Sequence, residues 1–581
     1  MFKHLRTLKP YFWRYRWGFV LGAFTVLCTN FIWAQFPRVL GHAIDDLDQG
    51  VTRDKLVFYS LMLVTIAVAK GIFQFLTRWK LIGISREIEF DLRNDLFKHL
   101  EGLSYSYYQR TRTGDIMARA TNDLNAVRML LGPAIMYSAN TVVFTAVALY
   151  YMWHYSHRLT LWAFVPLPIT SIVIQYFGRL IHERFERIQA MFSDISARAQ
   201  ENFSGVRVLR AFAQEQAEIT SFETANREYI ARSLRLVRLM GMLWPTLEVM
   251  LGLAVVLILW LGGREVVLGH IKVGDFVAFN TYMVQLTWPI IALGWVINIT
   301  QRGTASVARL NQIFAEKPEI TDANARPATE LGPIRGEIEF RDLNFSYNGT
   351  EVLKNVNLRI PAGTSLAVVG PTGSGKSTLV NLIPRIYDAA PGTVLVDGHP
   401  IQQYPLAELR RSIGFVPQET FLFSDSIRDN IAFGAEGASL EDVRTAAEAA
   451  SIAGDIEEFP EQFETTVGER GITLSGGQKQ RTAIARALLR DPRLLVLDDA
   501  LSSVDTHTEE KILSQLREIM QGRTTIFISH RVSTVRNADR IAVLHSGSIV
   551  ELGTHEELIA RNGYYTDLYN KQLLEEELAQ V

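Results

Sequence analysis

Gly370-Pro-Thr-Gly-Ser-Gly-Lys-Ser377 is the most informative stretch of this 581-residue chain. It matches the phosphate-loop pattern G-x-x-x-x-G-K-[ST] and lies between a strand-like apolar run, residues 366–369, and a helical pattern that begins near Lys376. In this context the glycines let backbone N–H groups close around phosphate oxygens, and the start of a helix adds the positive end of its dipole. The pattern therefore predicts a site for a nucleotide polyphosphate.

The side chains of this loop predict how the nucleotide is held. Lys376 reaches the terminal phosphates, and the hydroxyl of Ser377 can hold Mg²⁺. A second apolar run, residues 494–498, ends in Asp498, and this pattern places the carboxylate beside the same Mg²⁺. ATP and Mg²⁺ are thus the predicted cofactors. The predicted ATP-binding residues of the loop are Gly370, Thr372, Gly373, Ser374, Gly375, Lys376, Ser377 and Thr378.

The sequence around the loop predicts an α/β nucleotide-binding domain over residues 337–581. Strand-like runs alternate there with helical patterns such as residues 478–489, which is typical of a parallel sheet. The strand-like runs are residues 338–347, 366–369, 494–497 and 525–529. Residues 316–336 lose the apolar periodicity and are rich in proline and glycine, which predicts an inter-domain linker.

The N-terminal half predicts a membrane domain. Six apolar runs reach the roughly 20 residues that a helix needs to cross a bilayer, and no such run follows them. The runs are residues 17–37, 56–77, 129–156, 159–178, 239–263 and 276–301. We therefore expect a six-helix transmembrane domain over residues 17–315.

Basic residues near the ends of these runs predict the orientation of the chain in the membrane. The flank before the first run carries Lys3, Arg6, Lys9, Arg14 and Arg16. Such a flank predicts a cytoplasmic N-terminus, and an even number of spans places the C-terminus on the same side. Residues 1–16 are expected to form an amphipathic helix at the membrane interface.

Two long segments separate the second span from the third and the fourth from the fifth. Residues 84–100 and 181–203 within them mix charges with apolar residues at helical spacing. We expect the spans to continue through these residues as long helices that extend into the cytoplasm.

Lys70 and Glu248 are the only charged residues inside the predicted spans. A charge that faces lipid costs at least a few kcal/mol, so both residues are expected to face a cavity, a partner or the interface. A role in a substrate cavity is one interpretation. The other is that they snorkel or form a structural pair near the cytoplasmic end.

Composition excludes several other classes of protein. A formal net charge of -2 gives no field that would attract nucleic acid, and none is expected as a partner. The single cysteine, Cys28, excludes an intramolecular disulfide framework and a cysteine zinc cluster.

A second phosphate-binding pattern lies in the same predicted domain. Leu474-Ser-Gly-Gly-Gln478 precedes a helix whose start presents the hydroxyl of Ser475 and the N–H groups of Gly476 and Gly477. One domain needs only one such device. We therefore expect this segment, together with Gln478, to serve a nucleotide that another copy of such a domain holds.

Together these motifs resemble those of the ATP-binding cassette (ABC) exporters, in particular half-size members with a six-helix membrane domain ahead of one nucleotide-binding domain. The resemblance covers essentially the whole chain and implies a multi-pass protein of a bacterial inner or plasma membrane. Gln418 is similar to the residue that contacts Mg²⁺, and His530 to the one that contacts the γ-phosphate. Tyr347 matches the aromatic residue that stacks on adenine, and Asp505 the one that bridges two nucleotide-binding domains.

The resemblance also implies residues that couple the two domains. Gly114 and Asp115, in the segment 113–123, and the segment 201–212 look like the cytoplasmic loops that press on the nucleotide-binding domains. Glu469, in Gly468-Glu-Arg-Gly471, resembles part of the exporter-specific loop that touches them.

One position departs from the family pattern. Hydrolytic sites of the family carry Glu after the Mg²⁺-binding aspartate, whereas this chain has Asp499, which is shorter by one methylene. An Asp there resembles the half of a heterodimeric exporter that builds the weak ATP site while its intact signature completes the partner's site. The alternative is a homodimeric exporter or lipid flippase with two slow sites.

The expected activity is hydrolysis of ATP coupled to export of a lipophilic or amphipathic substrate by alternating access. Asp499, Gln418 and His530 are the predicted catalytic residues. A second half-transporter and the lipid bilayer are the predicted partners. An ATP-gated channel or regulator on the same scaffold is the remote alternative, and no long regulatory insertion supports it.

Overall fold

The computed structural model describes residues 4–435, 437–468, 474–502, 512, 514, 520–529 and 535–579. The chain divides into two compact units. The first, here called the membrane unit, comprises Met1–Lys98 and Gly114–Ala315. The second, here called the nucleotide unit, comprises His99–Thr113 and Glu316–Val581.

The N-terminal half of the chain is helical throughout. Residues His4–Leu8 form a 3₁₀ turn, and π-helical turns occur at Arg119–Asp123 and Leu130–Ala134. The helices are α1 (Lys9–Arg14), α2 (Arg16–Asp48), α3 (Arg53–Glu101), α4 (Tyr105–Arg110), α5 (Thr113–Ala118), α6 (Leu124–Met129), α7 (Ile135–Tyr155), α8 (His157–Ala163), α9 (Pro166–Ser204), α10 (Val206–Ala211), α11 (Glu215–Val267) and α12 (Val273–Ala315).

A helical membrane domain is confirmed, but the structure divides the fourth predicted span. Among the described residues, five helical stretches are long and apolar enough to cross a membrane. They are Arg16–Asp48, Arg53–Glu101, Thr113–Tyr155, Glu215–Val267 and Val273–Ala315. The predicted run 159–178 instead falls on two helices, because α8 ends at Ala163 and α9 begins with Pro166. Proline lacks a backbone N–H and is favoured in the first turn of a helix, so it starts a new one here.

The longest helices extend well beyond a bilayer. Helix α3 has 49 residues, which makes it about 70 Å long, against roughly 30 Å for a hydrocarbon core. Helices α3 and α9 continue without interruption through residues 84–100 and 181–203, as the helical spacing predicts.

Helices α2, α7 and α12 pack together in the membrane unit. Their buried core includes Ala34, Phe144, Met152 and Phe279. The fully buried Tyr282 on α12 donates its hydroxyl hydrogen to the carbonyl of Ala34 on α2. This bond satisfies a phenol that would otherwise lie unpaired in an apolar environment.

The described residues of the nucleotide unit form two sheets and a set of helices. Its strands are β1 (Ile338–Tyr347), β2 (Thr350–Ile360), β3 (Ser365–Val369), β4 (Val394–Val396), β5 (His399–Pro400), β6 (Ile413–Val416), β7 (Leu494–Asp498), β8 (Thr524–Ile528), β9 (Arg540–His545) and β10 (Ser548–Gly553). Its other described helices are α13 (Ala328–Leu331), α14 (Lys376–Asn381), α15 (Leu406–Arg411), α16 (Ile427–Ala432), α17 (Leu440–Ala449), α18 (Ala453–Glu457), α19 (Gly476–Leu489), α20 (His555–Arg561) and α21 (Tyr564–Ala579).

The larger sheet is mainly parallel, as predicted. Its order is β10-β9-β3-β8-β7-β6, and only the β9–β10 pair is antiparallel. Strand β7 is buried along its whole length, as expected for a central parallel strand with both faces covered. A second, antiparallel sheet with the order β2-β1-β4-β5 was not predicted from the sequence.

A close approach between α2 and α12 generates a prediction for Gly41. A Cβ on Gly41 would lie 2.5 Å from the carbonyl oxygen of Gly274, so Gly41→Ala must push the helices apart, and we expect a loss of about 1–3 kcal/mol in stability. Gly71→Ala is the matched control, because nothing lies within 4 Å of a Cβ there.

The measurement is the midpoint of thermal unfolding of each purified variant in the same lipid. Gly41→Ala is expected to unfold at a lower temperature than the parent chain, and Gly71→Ala at the same temperature. Equal midpoints for both variants would contradict the tight α2–α12 packing.

Candidate nucleotide site

The phosphate loop passes so close to its neighbours that glycine is required at two positions. It connects the end of β3 to the start of α14. Gly370 has φ +148°, and a Cβ there would lie 2.0 Å from the carbonyl oxygen of Leu544 on β9. Gly375 has φ +102°, and its Cβ would lie 2.8 Å from the side chain of Leu353. A residue with a Cβ would be strained at these positive φ angles, so the loop geometry depends on the two glycines.

Lys376 is held inside the loop. Its side chain is buried, and Nζ donates hydrogen bonds to the carbonyl oxygens of Gly370 at 2.8 Å and Pro371 at 3.0 Å. Burial lowers the pKa of the Lys376 ammonium from its usual value, and the carboxylates of Asp498 and Asp499 oppose that shift. An ammonium group in this position is suited to a ligand that brings negative charge into the loop.

Ser374 supplies a further polar group to the loop. Its hydroxyl oxygen is buried and has no hydrogen-bond partner among the described residues. A buried hydroxyl without a partner costs free energy, which a bound phosphate oxygen would recover. The residues present therefore fit a polyphosphate.

The structure brings Ser377 and Asp498 together at the loop. The Ser377 hydroxyl donates to Oδ1 of Asp498 at 3.1 Å, and Asp498 is buried at the end of β7. Strands β3 and β7 both pair with β8 in parallel, so their carboxyl ends lie at the same edge of the sheet. A hydroxyl and a carboxylate are oxygen ligands of the kind that Mg²⁺ prefers, so this pair fits the metal.

A cleft of about 1320 Å³ opens beside the loop. The predicted site residues that line it are Tyr347, Ser377, Thr378, Gln418 and Asp498. The hydroxyl of Tyr347 donates to the Thr378 hydroxyl oxygen at 3.4 Å. The structure thus brings together five residues that are dispersed over about 150 positions of the sequence.

A chain of aromatic rings extends from Tyr347, and the sequence reasoning missed it. The Tyr347 ring centroid lies 5.0 Å from that of Tyr387, and the Tyr387 centroid lies 5.8 Å from that of Tyr105 on α4. Burial raises the pKa of Tyr387 to about 12, with a smaller contribution from the neighbouring tyrosines. The signal that could have been noticed is the aromatic run Tyr105-Ser-Tyr-Tyr108 in a polar segment.

Hydrogen bonds attach the α4 segment to the rest of the nucleotide unit. The Ser104 hydroxyl oxygen accepts from the backbone N–H groups of Glu319 at 3.0 Å and Ile320 at 3.3 Å. The Ser106 hydroxyl donates to the Glu319 carboxylate at 2.6 Å. Residues 99–113 are therefore part of this unit, although the sequence places them between two membrane spans.

Asp499 has an unusual backbone. Its φ is +50°, in the left-handed region, and its N–H donates to the carbonyl of Ile528 at 3.0 Å. Aspartate enters this region more readily than most residues because its short side chain bonds locally. Asp499, which departs from the family pattern, is thus a residue type that suits the left-handed backbone at this position.

The signature segment forms the start of α19. Ser475 and Gln478 make a reciprocal capping box, with Ser475 Oγ accepting from Gln478 N–H at 3.2 Å and Gln478 Oε1 accepting from Ser475 N–H at 3.0 Å. Ser475 and Gly476 are exposed, and Leu474 is buried. Gly477 is partly exposed. None of these five described residues lines the cleft beside the phosphate loop.

A short relay links α19 to Asp499. The Gln480 side-chain amide donates to the Ser502 hydroxyl oxygen at 3.0 Å, and that hydroxyl donates to the carbonyl oxygen of Asp499 at 3.0 Å. The helix that carries the signature is therefore connected to the loop that carries this chain's own candidate base.

The remaining predicted site residues lie elsewhere. Gly114 and Asp115 are exposed on α5 in the membrane unit, and Glu248 is exposed on α11. Lys70 lines a cavity in the membrane unit that does not include Glu248. Glu469, Asp505 and His530 lie outside the described residues. The roles of all of these residues stay predictions.

Two family profiles match the chain. The profile described as "ABC transporter transmembrane region" matches residues 19–290, and the profile described as "ABC transporter" matches residues 353–502. The chain therefore belongs to the ABC transporters, as an exporter with a membrane domain ahead of an ATP-binding domain. Its activity is hydrolysis of ATP coupled to transport.

Individual relatives match over almost their full length. A probable multidrug resistance ABC transporter ATP-binding/permease protein, YheI of Bacillus subtilis (strain 168), is 36% identical over 99% of this chain and 98% of its own. An ATP-dependent lipid A-core flippase of Syntrophus aciditrophicus (strain SB) is 37% identical over 97% of this chain and 93% of its own. A solved bacterial Atm1-family ABC exporter with ATP bound has a TM-score of 0.79 and 29% identity, covering 96% of this chain and 98% of that chain.

Ser377 provides a test of the metal site. Ser377→Ala removes one of the two oxygen groups that meet at the loop, so Mg²⁺ should strengthen ATP binding about tenfold less than in the parent chain. The measurement is the dissociation constant of ATP with excess Mg²⁺ and with EDTA.

Ser412→Ala is the matched control, because the Ser412 hydroxyl donates to the carbonyl of Leu409 on the adjoining helix α15 and Ser412 does not line the cleft. It should leave both constants unchanged. An unaltered Mg²⁺ effect in Ser377→Ala would contradict a metal at this pair.

Proposed function

We propose that this chain is one half of a dimeric exporter that uses ATP and Mg²⁺ to move a lipophilic or amphipathic substrate out of the cell by alternating access. The observation that carries the proposal is that Lys376, Ser377 and Asp498 meet at the phosphate loop, whereas the signature does not line the cleft beside it. The exposed residues of the signature are Ser475 and Gly476. Relatives described as a multidrug resistance transporter and a lipid A-core flippase support a substrate of this class.

The separation of the two phosphate-binding devices supports a dimer. The signature at the start of α19 is capped and exposed but does not line this chain's cleft. A helix start that presents N–H groups is suited to an anion. In the proposed dimer, this segment meets the nucleotide of the other half, with Asp505 at the same interface.

The residues of this chain's nucleotide site have separate roles in the proposed cycle. Lys376 and the loop amides hold the phosphates, and Tyr347 stacks on the adenine. Ser377, Asp498 and Gln418 would hold Mg²⁺, which neutralises charge on the phosphates. Asp499 orients water and His530 contacts the γ-phosphate. Because ATP binds the closed pair of nucleotide-binding domains better than the open pair, it can shift the equilibrium between inward and outward openings.

Asp499 supports a heterodimer in which this chain holds the weaker site. The shorter side chain withdraws the carboxylate by roughly a bond length, and a misplacement of about 1 Å can cost on the order of 100-fold in rate. The phosphate loop and the signature are otherwise complete. The partner is then expected to carry Glu at this position and an altered signature. A homodimer with two slow sites is the alternative.

The proposed placement follows the basic residues of the sequence. Both termini and the nucleotide-binding domain face the cytoplasm, residues 1–16 lie at the inner interface, and residues 17–315 form the membrane domain. Gly114, Asp115 and Glu469 transmit the movement between the domains. The membrane is proposed to be a bacterial inner membrane.

An asymmetry between two substitutions tests the heterodimer. Asp499→Asn disables this chain's own site, whereas Ser475→Asp places a negative charge at the signature and keeps a good helix cap. In a heterodimer with its native second half, Asp499→Asn should leave ATP turnover within about twofold, and Ser475→Asp should reduce it by about 100-fold. Ser475→Asn is the neutral control, because it retains the cap without the charge.

ATP turnover is also measured for the chain purified alone and for the Asp499→Glu variant. Little turnover is expected from the chain alone. Brisk turnover from the chain alone, with both Asp499→Asn and Ser475→Asp abolishing it, would contradict the heterodimer and establish the homodimer. Because Asp499 has a left-handed backbone, the melting temperature of each Asp499 variant is recorded beside its activity.

A further inference from the structure

A cavity of about 420 Å³ lies within the membrane unit. Residues of α2, α3, α7 and α12 line it, and they combine aromatic walls with polar groups. Its volume falls in the range of sites that bind small molecules. The cavity is separate from the nucleotide site, since every residue that lines it belongs to the membrane unit.

The charged side chains that line this cavity are all positive. Lys70 and Arg78, two turns apart on α3, both line it, and no aspartate or glutamate does. Neither residue forms an ion pair with any other described residue. Lys70 lies inside the second predicted span, where an uncompensated cation is costly, and Arg78 directly follows that span. Two such cations in one cavity point to a ligand that brings the opposite charge.

Lys70 is positioned by an aromatic ring. Its Nζ lies 4.0 Å from the centre of the Trp33 ring on α2. This cation–π contact holds the ammonium at the wall of the cavity but does not neutralise it.

Gln285 on α12 provides an unused hydrogen-bond acceptor. Its Oε1 is buried and has no hydrogen-bond partner among the described residues. The nearby amides of Asn30 and Asn140 are joined to each other by a hydrogen bond of 2.8 Å. An unsatisfied acceptor in an apolar environment is costly, and a ligand with a hydroxyl or amide donor would satisfy it.

Part of the wall is apolar. Phe144 and Trp288 line the cavity with Met136 and Val284. Trp288 and Val284 are also exposed, at 67% and 51%. The cavity thus joins a cationic, polar interior to apolar side chains that suit a hydrocarbon chain.

We propose that this cavity binds an amphipathic anion. Lys70 and Arg78 pair with a phosphate, carboxylate or sulfate head group, Gln285 accepts a hydrogen bond from a donor beside it, and the aromatic wall holds the start of the alkyl chain. This inference rests on the proposed export function and narrows its substrate class. It also means that lipophilic cations are bound poorly.

The test compares 12-carbon probes that differ in head group. The chain, with its second half if one is required, is placed in nanodiscs of phosphatidylcholine. Equilibrium binding of radiolabelled dodecyl phosphate is measured, with unlabelled dodecyltrimethylammonium and inorganic phosphate as competitors. ATP turnover is recorded in the same samples.

Lys70→Met is expected to weaken binding of dodecyl phosphate about tenfold, since a charged partner is lost. Lys70→Arg should retain most of the affinity. Lys80→Met is the matched control, because Lys80 lies on the same helix over the ring of Trp79, at 4.7 Å, and does not line the cavity. Lys80→Met should bind the probe as the parent chain does.

Several results would overturn the inference. They are equal binding of dodecyl phosphate by Lys70→Met and the parent chain, stronger competition by dodecyltrimethylammonium than by unlabelled dodecyl phosphate, and displacement by inorganic phosphate at the same concentration as by dodecyl phosphate. The last result would mean that the site recognises a free anion and no alkyl chain. Selective binding without any ATP turnover would support the cavity and contradict the proposed export function instead.

Discussion

The nucleotide unit depends on how closely its phosphate loop can approach the strands beside it. Gly370 lies against the backbone of β9, and Gly375 lies against Leu353 of β2. Because no Cβ intervenes, the loop amides and the buried ammonium of Lys376 converge on one small volume. A polyphosphate is the natural counter-charge for that volume, and the carboxyl ends of β3 and β7 bring Asp498 to its edge.

The same physical argument applies to the membrane unit. A charge there is costly, so each one that remains carries information about function. Lys70 and Arg78 line a polar cavity without a carboxylate, whereas Glu248 is exposed on α11 and does not. Lys70 and Glu248 are both rare charges within predicted spans, but their surroundings differ. Only the structure reveals that difference.

Much of the fold could be predicted because its signals are local. The apolar run that becomes β7, the glycine pattern of the phosphate loop and the capped start of α19 each depend on residues near one another in sequence. The helix break inside the fourth predicted span was missed, because apolar content alone does not reveal that Pro166 begins a new helix.

Other features could not be predicted because they join distant residues or depend on backbone conformation. The ring contact between Tyr105 and Tyr387 joins two parts of the nucleotide unit that are far apart in the sequence. The left-handed φ of Asp499 depends on the turn after β7 and its bond to Ile528. Neither the aromatic chain nor this turn leaves a periodic pattern in the sequence.

The central claim is that this chain retains ATP at its own phosphate loop while its signature completes the site that hydrolyses. Photolabelling of the purified dimer with 8-azido-ATP during turnover tests it, with ³²P in the γ position in one sample and in the α position in another. This chain is expected to keep both labels, while the partner keeps only the α label. Loss of the γ label from this chain at the partner's rate would contradict the account.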